Sequence, residues 1–289
     1  MFNGSYEGGA LVDVCHNYNL KVITIHHNYD PEYAYDNLTI PVYKNIFRHH
    51  VFKLQKNAYK NSDINLFLTN DDMAKCAYGH TRSLNALLGV FEFKDIPPLL
   101  DCKRIKTQLT FVITGSLCTV QGIDGIKYFF KELYKFLPAN CKILIAGRTP
   151  SPIVEDLCSQ HQNVSLIPNP KDMSEVISSA DVYICPTRIG GGLKLRVMDG
   201  LKLGLPVITH KCSARGYDLF KKSDSFEVFN NAEDFNVSVS RIVENIKKGI
   251  VDKKNNYDKY INIFSYKSGL NRLRKILKHY ESIVYTNNK

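Results

Sequence analysis

The chain has 289 residues, 44% of them hydrophobic, and a formal net charge of +10. This length holds one large domain or two modest domains with hydrophobic cores, and no apolar run in the sequence is long enough to cross a bilayer. Residues 1–5 lack the basic and apolar regions of a secretion signal. We therefore expect a soluble, cytoplasmic protein.

The composition disfavours two classes of site. Eight cysteines are scattered along the chain with no Cys-x-x-Cys pair, which argues against zinc and against a disulfide framework. We expect reduced, buried thiols. The basic residues are spread out and no nucleic-acid-binding motif accompanies them, so no nucleic-acid partner is predicted.

The basic clusters instead suit peripheral contact with an anionic membrane at its inner face, at roughly 1 kcal/mol per basic residue near the surface. A solvated charge excess explains any one cluster equally well. The clusters lie at residues 221–222, 247–248, 253–254 and 272–278.

The first hundred residues contain a predicted strand at 21–25, which is followed by His26, His27 and Asn28. A polar cluster at the carboxyl end of a buried strand is where open α/β sheets bind ligands. Apolar residues at helical spacing predict a helix over 43–61, and a strand follows at 64–69. Asn70 or Asp71 is predicted to cap a short helix that runs to residue 78.

A polar stretch at 101–107, after two prolines, predicts a domain boundary. Beyond it, strands alternate with helices of ten residues or so, which is typical of a parallel, doubly wound sheet. The predicted strands are 109–114, 142–146, 164–167, 182–185, 207–210 and 226–229. The predicted helices are 125–137, 153–160, 173–180, 232–248 with its cap at Asn230 or Asn231, and a basic tail over 257–285.

The strand at 182–185 leads into the glycine run Gly190, Gly191 and Gly192 and then into a short helix that Gly204 and Pro206 end. Glycines allow positive φ angles and a close approach of the backbone to a ligand, and the free N–H groups at a helix start attract anions. This stretch therefore predicts a phosphate site.

Lys194 and Arg196 are predicted in the first turn of that helix, where cations are unfavourable unless an anion neutralises them. Asp199 follows Arg196 by three residues, so the two share a face. A ligand with a diphosphate and a ribose diol would use both kinds of group. A glycine-rich turn with ordinary surface charges is the alternative.

These residues resemble the nucleotide-sugar site of retaining glycosyltransferases of the GT-B fold, family 4. That family has Gly-small-Gly, a basic residue, Lys, a Glu on the helix and then Gly-x-Pro-Val, and here Arg196 replaces the Lys and Asp199 the Glu. The resemblance covers roughly residues 107–220 and more faintly 1–95. It is carried by Pro186, Arg188, Gly190, Gly191, Gly192, Lys194, Arg196, Asp199, Gly204, Pro206 and Val207.

The resemblance implies an α/β chain with two Rossmann-like doubly wound domains. The expected division is a partial, acceptor-side domain at 1–104, a nucleotide-sugar-binding domain at 105–265 and a C-terminal helix at 266–289 that returns to the first domain. The implied reaction moves a sugar from a nucleotide-diphosphate sugar to a glycan or lipid-linked glycan acceptor in cell-surface polysaccharide synthesis, with retention. No other cofactor and no metal are expected, since the chain has no Asp-x-Asp.

The resemblance also assigns residues to roles. His27 is the candidate catalytic residue near the sugar, with a strand-end histidine bonded to backbone as the alternative, and His26 should face the opposite side of the strand. The candidate nucleotide-sugar ligands are Gly115, Arg148, Arg188, Gly190, Gly191, Gly192, Leu193, Lys194, Arg196 and Asp199.

The chain departs from the family pattern in three places. Gly191 stands where many relatives have a sugar-binding Glu, and the loop at 115–122 has no cation, for which Arg188 or Arg148 would substitute. The first domain is short and lacks an opening strand and a glycine-rich loop. We therefore expect a chain that begins part-way through this domain, a partner chain that completes it, or, as the alternative function, a nucleotide-sugar-binding remnant or subunit of weak activity.

Overall fold

The computed structural model describes residues 1–37, 41–81, 83–96, 98–99, 108–221 and 223–287. The chain divides into two compact units. Unit 1 comprises Met1–Asp95, Gly190–Leu193 and Ile263–Lys289, and unit 2 comprises Ile96–Ile189 and Lys194–Asn262. The predicted boundary at 104/105 lies outside the described residues.

Unit 1 contains a three-stranded parallel sheet in the order β1-β2-β3. Ile64, Leu66 and Leu88 form its buried core together with apolar residues of the last helix. Its elements are α1 (Ser5–Asn17), β1 (Ile23–His26), α2 (Asp30–Asn37), α3 (Pro41–Asn61), β2 (Ile64–Phe67), α4 (Asn70–Lys75), β3 (Leu84–Leu87) and α11 (Tyr266–Asn287).

Unit 2 contains a six-stranded sheet in the order β6-β5-β4-β7-β8-β9, with every neighbouring pair parallel. Its elements are β4 (Thr110–Ser116), α5 (Val120–Tyr128), β5 (Lys142–Arg148), α6 (Pro152–Ser159), β6 (Val164–Pro168), α7 (Met173–Ser178), β7 (Val182–Cys185), α8 (Arg196–Leu201), β8 (Val207–His210), β9 (Phe226–Phe229), α9 (Ala232–Lys247) and α10 (Lys253–Phe264), whose last two residues belong to unit 1.

The predicted α/β class with parallel sheets is confirmed, and β7, β8 and β9 have the predicted bounds. These strands are easy to recognise because a parallel strand covered on both faces reads as a continuous apolar run. All four residues of β7 and of β8 are buried.

The sequence prediction omitted α1, α2 and β3. A glycine pair argues against a helix by propensity, yet Gly8 and Gly9 lie in the middle of α1. A Cβ atom at Gly8 would lie 2.6 Å from Thr24 Oγ1, and one at Gly9 would lie 1.9 Å from the Leu54 carbonyl oxygen. The two glycines therefore let α1 pack closely on β1 and α3.

Several predicted helix bounds were wrong, among them the ends of α4, at Lys75 and not residue 78, and of α5, at Tyr128 and not residue 137. Thr119 caps α5, because its Oγ1 accepts from the Gly122 N–H at 3.2 Å, so α5 begins at Val120 and not at residue 125. Thr69, and not Asn70 or Asp71, caps α4 through the Asp72 N–H at 3.0 Å. The tail forms α10 and α11, which separate at residue 265.

Arg272 of α11 holds together the distant parts of unit 1. Its guanidinium donates to the carbonyl oxygens of Leu88 at 2.7 Å, Val90 at 2.9 Å and Ile263 at 2.5 Å. The carbonyl end of β3 is thereby joined to α11.

We expect Arg272→Ala to lower the free energy of unfolding of unit 1 by about 3 kcal/mol, because three carbonyl oxygens lose a charged donor. Urea-dependent hydrogen exchange of amides in β2 and β3 measures this loss. Arg274→Ala is the control, since Arg274 is exposed on the same helix. Equal effects of the two substitutions would contradict this role of Arg272.

Candidate functional site

The carboxyl ends of the unit 2 strands carry the predicted nucleotide-sugar residues. Gly115 of β4 and Gly147 of β5 lie side by side, and a Cβ atom at Gly147 would lie 1.8 Å from the Gly115 carbonyl oxygen. Gly115 has a φ of +154°, and a Cβ atom there would lie 2.8 Å from Arg196 Nη1. Gly115 lets the Arg196 guanidinium lie directly on the backbone at the sheet edge, and Gly147 leaves room for the Gly115 carbonyl group.

Thr187, two residues after β7, connects two loops of this edge with α8. Its buried Oγ1 accepts from Arg196 Nη1 at 3.1 Å, and its carbonyl oxygen accepts from Ser213 Oγ at 2.6 Å. The direction of the Arg196 side chain is therefore fixed by a residue on another loop.

Lys194 is only 8% exposed. Burial lowers the pKa of its ammonium, and the positive charges of Arg196 and Arg215 lower the pKa further. Its carbonyl oxygen accepts from the Tyr217 hydroxyl at 2.8 Å, which ties it to the loop after β8. Unit 2 thus concentrates three cationic side chains at one edge of its sheet.

Arg215 was not among the predicted site residues. The signal was present, because residues 213–217 begin three positions after His210, the last residue of β8, and so lie at the same carboxyl edge as Gly115 and Thr187. A rule that examines the residues after every parallel strand would have included it.

The two arginines proposed to substitute for a missing cation differ in their surroundings. Arg188 makes a two-pronged ion pair with Asp124 of α5, through Nε and Nη2 at 3.0 Å each, and lies 4.4 Å from the Tyr128 ring centre. The bond to Asp124 raises the pKa of Arg188. Arg148 is the exposed last residue of β5, and its carbonyl oxygen accepts from the Leu117 N–H at 3.0 Å.

The helix of the predicted motif is shorter than expected. It begins at Arg196 and has six residues, so Lys194 precedes it and does not lie in its first turn. A helix this short aligns few peptide dipoles, and side-chain charge becomes the larger attraction for an anion. Asp199 lies on α8 as predicted, and its Oδ1 accepts from Lys202 Nζ at 3.0 Å.

The segment 190–193 belongs to unit 1. Gly190 and Gly192 have φ angles of +90° and +68°, as expected for a glycine-rich turn. A Cβ atom at Gly192 would lie 1.8 Å from Asn28 Oδ1, whereas one at Gly191 would meet open space. Leu193, which follows, is partly buried.

The two histidines at the end of β1 have different environments. His26 is fully buried, stacks on Phe67 with ring centres 4.6 Å apart, and has its Nε2 3.0 Å from Asn65 Oδ1. Burial lowers the pKa of His26 to about 4. His27 is partly exposed, and a 2.8 Å hydrogen bond joins its Nε2 to Asn3 Oδ1. His26 is a core residue, and the catalytic role of His27 stays a prediction.

Two further observations concern classes of site. Within the part of the chain that the structure describes, no three His, Cys, Asp or Glu side chains are placed to hold a metal ion together. None of the described helices combines the length and the apolar character that crossing a membrane requires.

Residues 108–245 match the family described as glycosyl transferases group 1. This part of the chain is similar to members of that family. The matched residues start just before β4 and end within α9. They include Thr187 and its two hydrogen-bond partners, Arg196 and Ser213. The comparison with curated proteins gives no match to this chain.

Solved structures share the fold at low sequence identity. The chain is similar to sucrose-phosphate synthase from Thermosynechococcus elongatus, with a TM-score of 0.73, 12% identity and coverage of 97% of this chain and 73% of the other. HepE from Anabaena in complex with UDP has a TM-score of 0.69, 10% identity and coverage of 96% and 77%.

The pneumococcal O-GlcNAc transferase GtfA, solved with UDP and GlcNAc, has a TM-score of 0.59 and 12% identity, and coverage of 96% of this chain and 55% of the other. Together these structures confirm the predicted GT-B fold class.

We expect Gly192→Ala to destabilise the chain by about 1–2 kcal/mol, because a side chain in the left-handed region is strained and this one would collide with Asn28. Thermal unfolding measures the change. Gly191→Ala is the matched control, since its Cβ would meet open space, and it should leave the melting temperature nearly unchanged. Similar shifts for both variants would contradict the description of this turn.

Proposed function

We propose that the chain transfers a sugar from a nucleotide-diphosphate sugar and that unit 2 binds the diphosphate. The observation that carries the proposal is the group of Lys194, Arg196 and Arg215 at the carboxyl edge of a parallel sheet, where open α/β proteins take their ligands. Two adjacent phosphates carry the charge that such a group would neutralise.

The electrostatics of Lys194 support an anionic ligand. Burial lowers its pKa because the charged form loses hydration. A diphosphate bound beside Lys194 would favour the charged ammonium again. Lys194 would therefore be more fully protonated with the diphosphate bound than without it. Water displaced from this edge would strengthen each charge-assisted bond further.

Arg196 would provide a directed contact, since the Thr187 hydroxyl and Gly115 fix its guanidinium before any ligand arrives. Preorganised donors aimed at developing charge are an effective way to stabilise a departing diphosphate. In our proposal Lys194 and Arg196 supply this stabilisation without a metal or any other cofactor.

Several fold relatives support a nucleotide donor. HepE from Anabaena was solved with UDP and with UDP-glucose, and GtfA with UDP and GlcNAc. UDP is therefore a suitable first probe for this chain. We assign Asp199 to the ribose hydroxyls, because a carboxylate accepts two hydrogen bonds from a diol.

The finer assignments are part of the proposal. They are a hexosyl donor, retention at the anomeric carbon, a glycan or lipid-linked glycan acceptor, a role in polysaccharide synthesis and a cytoplasmic location. The alternative of a binding subunit that needs a partner chain differs in one measurable respect, since the purified chain would bind UDP but would neither transfer nor hydrolyse the donor sugar.

We expect Lys194→Ala with Arg196→Ala to weaken UDP binding at least tenfold, because each charge-assisted bond to phosphate contributes about 1.5–3 kcal/mol. Calorimetric titration with UDP measures the affinity. The thermal shift at saturating UDP should fall in parallel.

Lys142→Ala is the control, because this exposed lysine is the first residue of β5. It therefore lies at the amino ends of the strands, away from the carboxyl ends that carry the proposed site. It should bind UDP like the wild type. Unchanged UDP affinity in the double variant would show that the diphosphate does not bind at the carboxyl ends of these strands.

We expect His27→Ala to lower donor turnover about tenfold or more while UDP affinity stays within about twofold, as removal of a group that acts in the transfer step would do. Steady-state transfer or donor hydrolysis gives the turnover, and the same calorimetric titration gives the affinity. Asn3→Ala tests the hydrogen-bond partner of His27 separately. If His27→Ala lowered UDP affinity as much as it lowered turnover, His27 would support the folded structure and not the transfer step.

A further inference from the structure

A shallow cavity of about 460 Å³ lies at the carboxyl edge of the unit 1 sheet. Tyr29 lines it from the loop after β1, and Lys75, the last residue of α4, lines it from the segment after β2. Helices α2 and α3 supply the other lining residues, which are Glu32, Tyr35 and Arg48. This edge is where open α/β sheets bind ligands, and small-molecule sites have volumes of about 300–1,000 Å³.

The wall of the cavity at Tyr29 is held in place by buried side chains. Gln55 is fully buried, donates to the Asn28 carbonyl oxygen at 2.9 Å and accepts from the Asp30 N–H at 3.2 Å. The Tyr29 N–H donates to Oδ1 of the buried Asp72 at 2.9 Å. Three consecutive residues are therefore fixed before a ligand binds, which lowers the entropy that binding costs.

The lining carries two cations and one carboxylate. Lys75 and Glu32 form an ion pair with each other. Among the described side chains no carboxylate pairs with Arg48, whose guanidinium lies over the Tyr35 ring, 5.7 Å from the ring centre. Contact with a ring face does not use the N–H donors of a guanidinium. The Arg48 donors can therefore bind a phosphate or a carboxylate group.

Two tyrosine rings complete the lining. Tyr35 is 41% exposed, and Tyr29 is partly exposed. Lys44, one turn before Arg48 on α3, lies 4.7 Å from the centre of the Tyr35 ring, so two cations of one helix face lie against this ring. Tyrosine rings offer a flat apolar surface with a polar hydroxyl at one end. The C–H face of a sugar ring, with hydroxyl groups around it, is the matching surface on a small polar ligand.

We propose that this cavity binds a sugar that carries a negative charge, as a phosphate or as a carboxylate. Arg48 binds the charged group, the two tyrosine rings pack against the sugar ring, and the Glu32–Lys75 pair accepts from and donates to its hydroxyl groups. Binding of this sugar does not depend on the proposed transfer. The further step, that the sugar belongs to the acceptor, rests on the proposed function and on the position of Tyr29 two residues after His27.

The test is a titration of the full chain with glucose 6-phosphate, glucuronate and methyl glucoside, followed through the NMR signals of each sugar. We expect the two charged sugars to bind at least tenfold more tightly than the neutral one, because a guanidinium forms charge-assisted hydrogen bonds with either anionic group. The tighter of the two identifies the group as phosphate or carboxylate. Equal affinity for charged and neutral sugars, or binding of none of them, would overturn the proposal.

A matched pair of substitutions on α3 assigns the charge recognition. Arg48→Ala should weaken binding of the charged sugars at least tenfold and change the affinity for methyl glucoside by less than about twofold. Lys53→Ala is the control, since Lys53 is exposed on the same helix and does not line the cavity. Circular dichroism confirms that each variant is folded. Equal losses in the two variants would show that total charge, and not this cavity, attracts the sugars.

The contribution of the rings is tested separately. Tyr35→Leu should weaken binding of all three sugars about threefold or more, whereas Tyr33→Leu, which replaces an exposed ring of α2 outside the lining, should not. Inorganic phosphate should bind at least tenfold more weakly than glucose 6-phosphate, since it lacks the ring that packs on the tyrosines. Equal binding of the two would show that the cavity takes an anion alone, and the sugar would be excluded.

The proposed diphosphate site of unit 2 also attracts anions, so the two sites are separated by variants. Lys194→Ala with Arg196→Ala should bind glucose 6-phosphate like the wild type, and Arg48→Ala should bind UDP like the wild type. Glucose 6-phosphate binding that is lost in the double variant and kept in Arg48→Ala would overturn this proposal and leave the proposed function intact. Conversely, failure of the wild type to bind UDP would contradict the proposed function, and the sugar titration would still decide this proposal.

Discussion

The hydrogen bonds of Thr187 are the constraint on which the candidate site depends. Its hydroxyl fixes Arg196 and its carbonyl oxygen holds Ser213, so the loops after β7 and β8 and the start of α8 become one rigid group. This arrangement requires the backbone at Gly115 and Gly147 to lie very close to neighbouring atoms. A Cβ atom at either position would collide with them. Gly115 is thus a consequence of where Arg196 lies, and Gly147 is a consequence of where the Gly115 carbonyl group lies.

The same edge places charge where water is scarce. Lys194 is nearly buried with two arginines nearby, and both features lower the pKa of its ammonium. Arg188, by contrast, is exposed and forms an ion pair with Asp124 and a contact with the Tyr128 ring. Cations that follow the same strand of the sheet thus differ in burial, and in our proposal the buried one meets the diphosphate.

The sequence predicted unit 2 better than unit 1 for a physical reason. Parallel strands covered on both faces are apolar throughout, so β7, β8 and β9 were recognisable, and the glycine turn required its positive φ angles. Helix α1 was not predicted because Gly8 and Gly9 disfavour a helix by their own propensity. Their role is seen only in the structure, where Gly8 packs closely on Thr24 and Gly9 on Leu54, both distant in sequence. The cations Lys194 and Arg196 were predicted from their spacing, and Arg215 could have been included from its place after β8, whereas the exact start of α8 depends on packing that spacing does not encode.

The hydrogen bonding of Arg272 to distant backbone carbonyls affects the order in which the chain folds. It joins residues 88 and 90 to a helix about 180 positions later, so unit 1 contains contacts of very large sequence separation. Closing so long a loop is slow compared with forming the nearly continuous unit 2. During synthesis α11 is made after every strand of the two described sheets. Unit 2 can therefore fold on the nascent chain before α11 emerges, while unit 1 waits with the apolar sheet face that α11 covers still exposed.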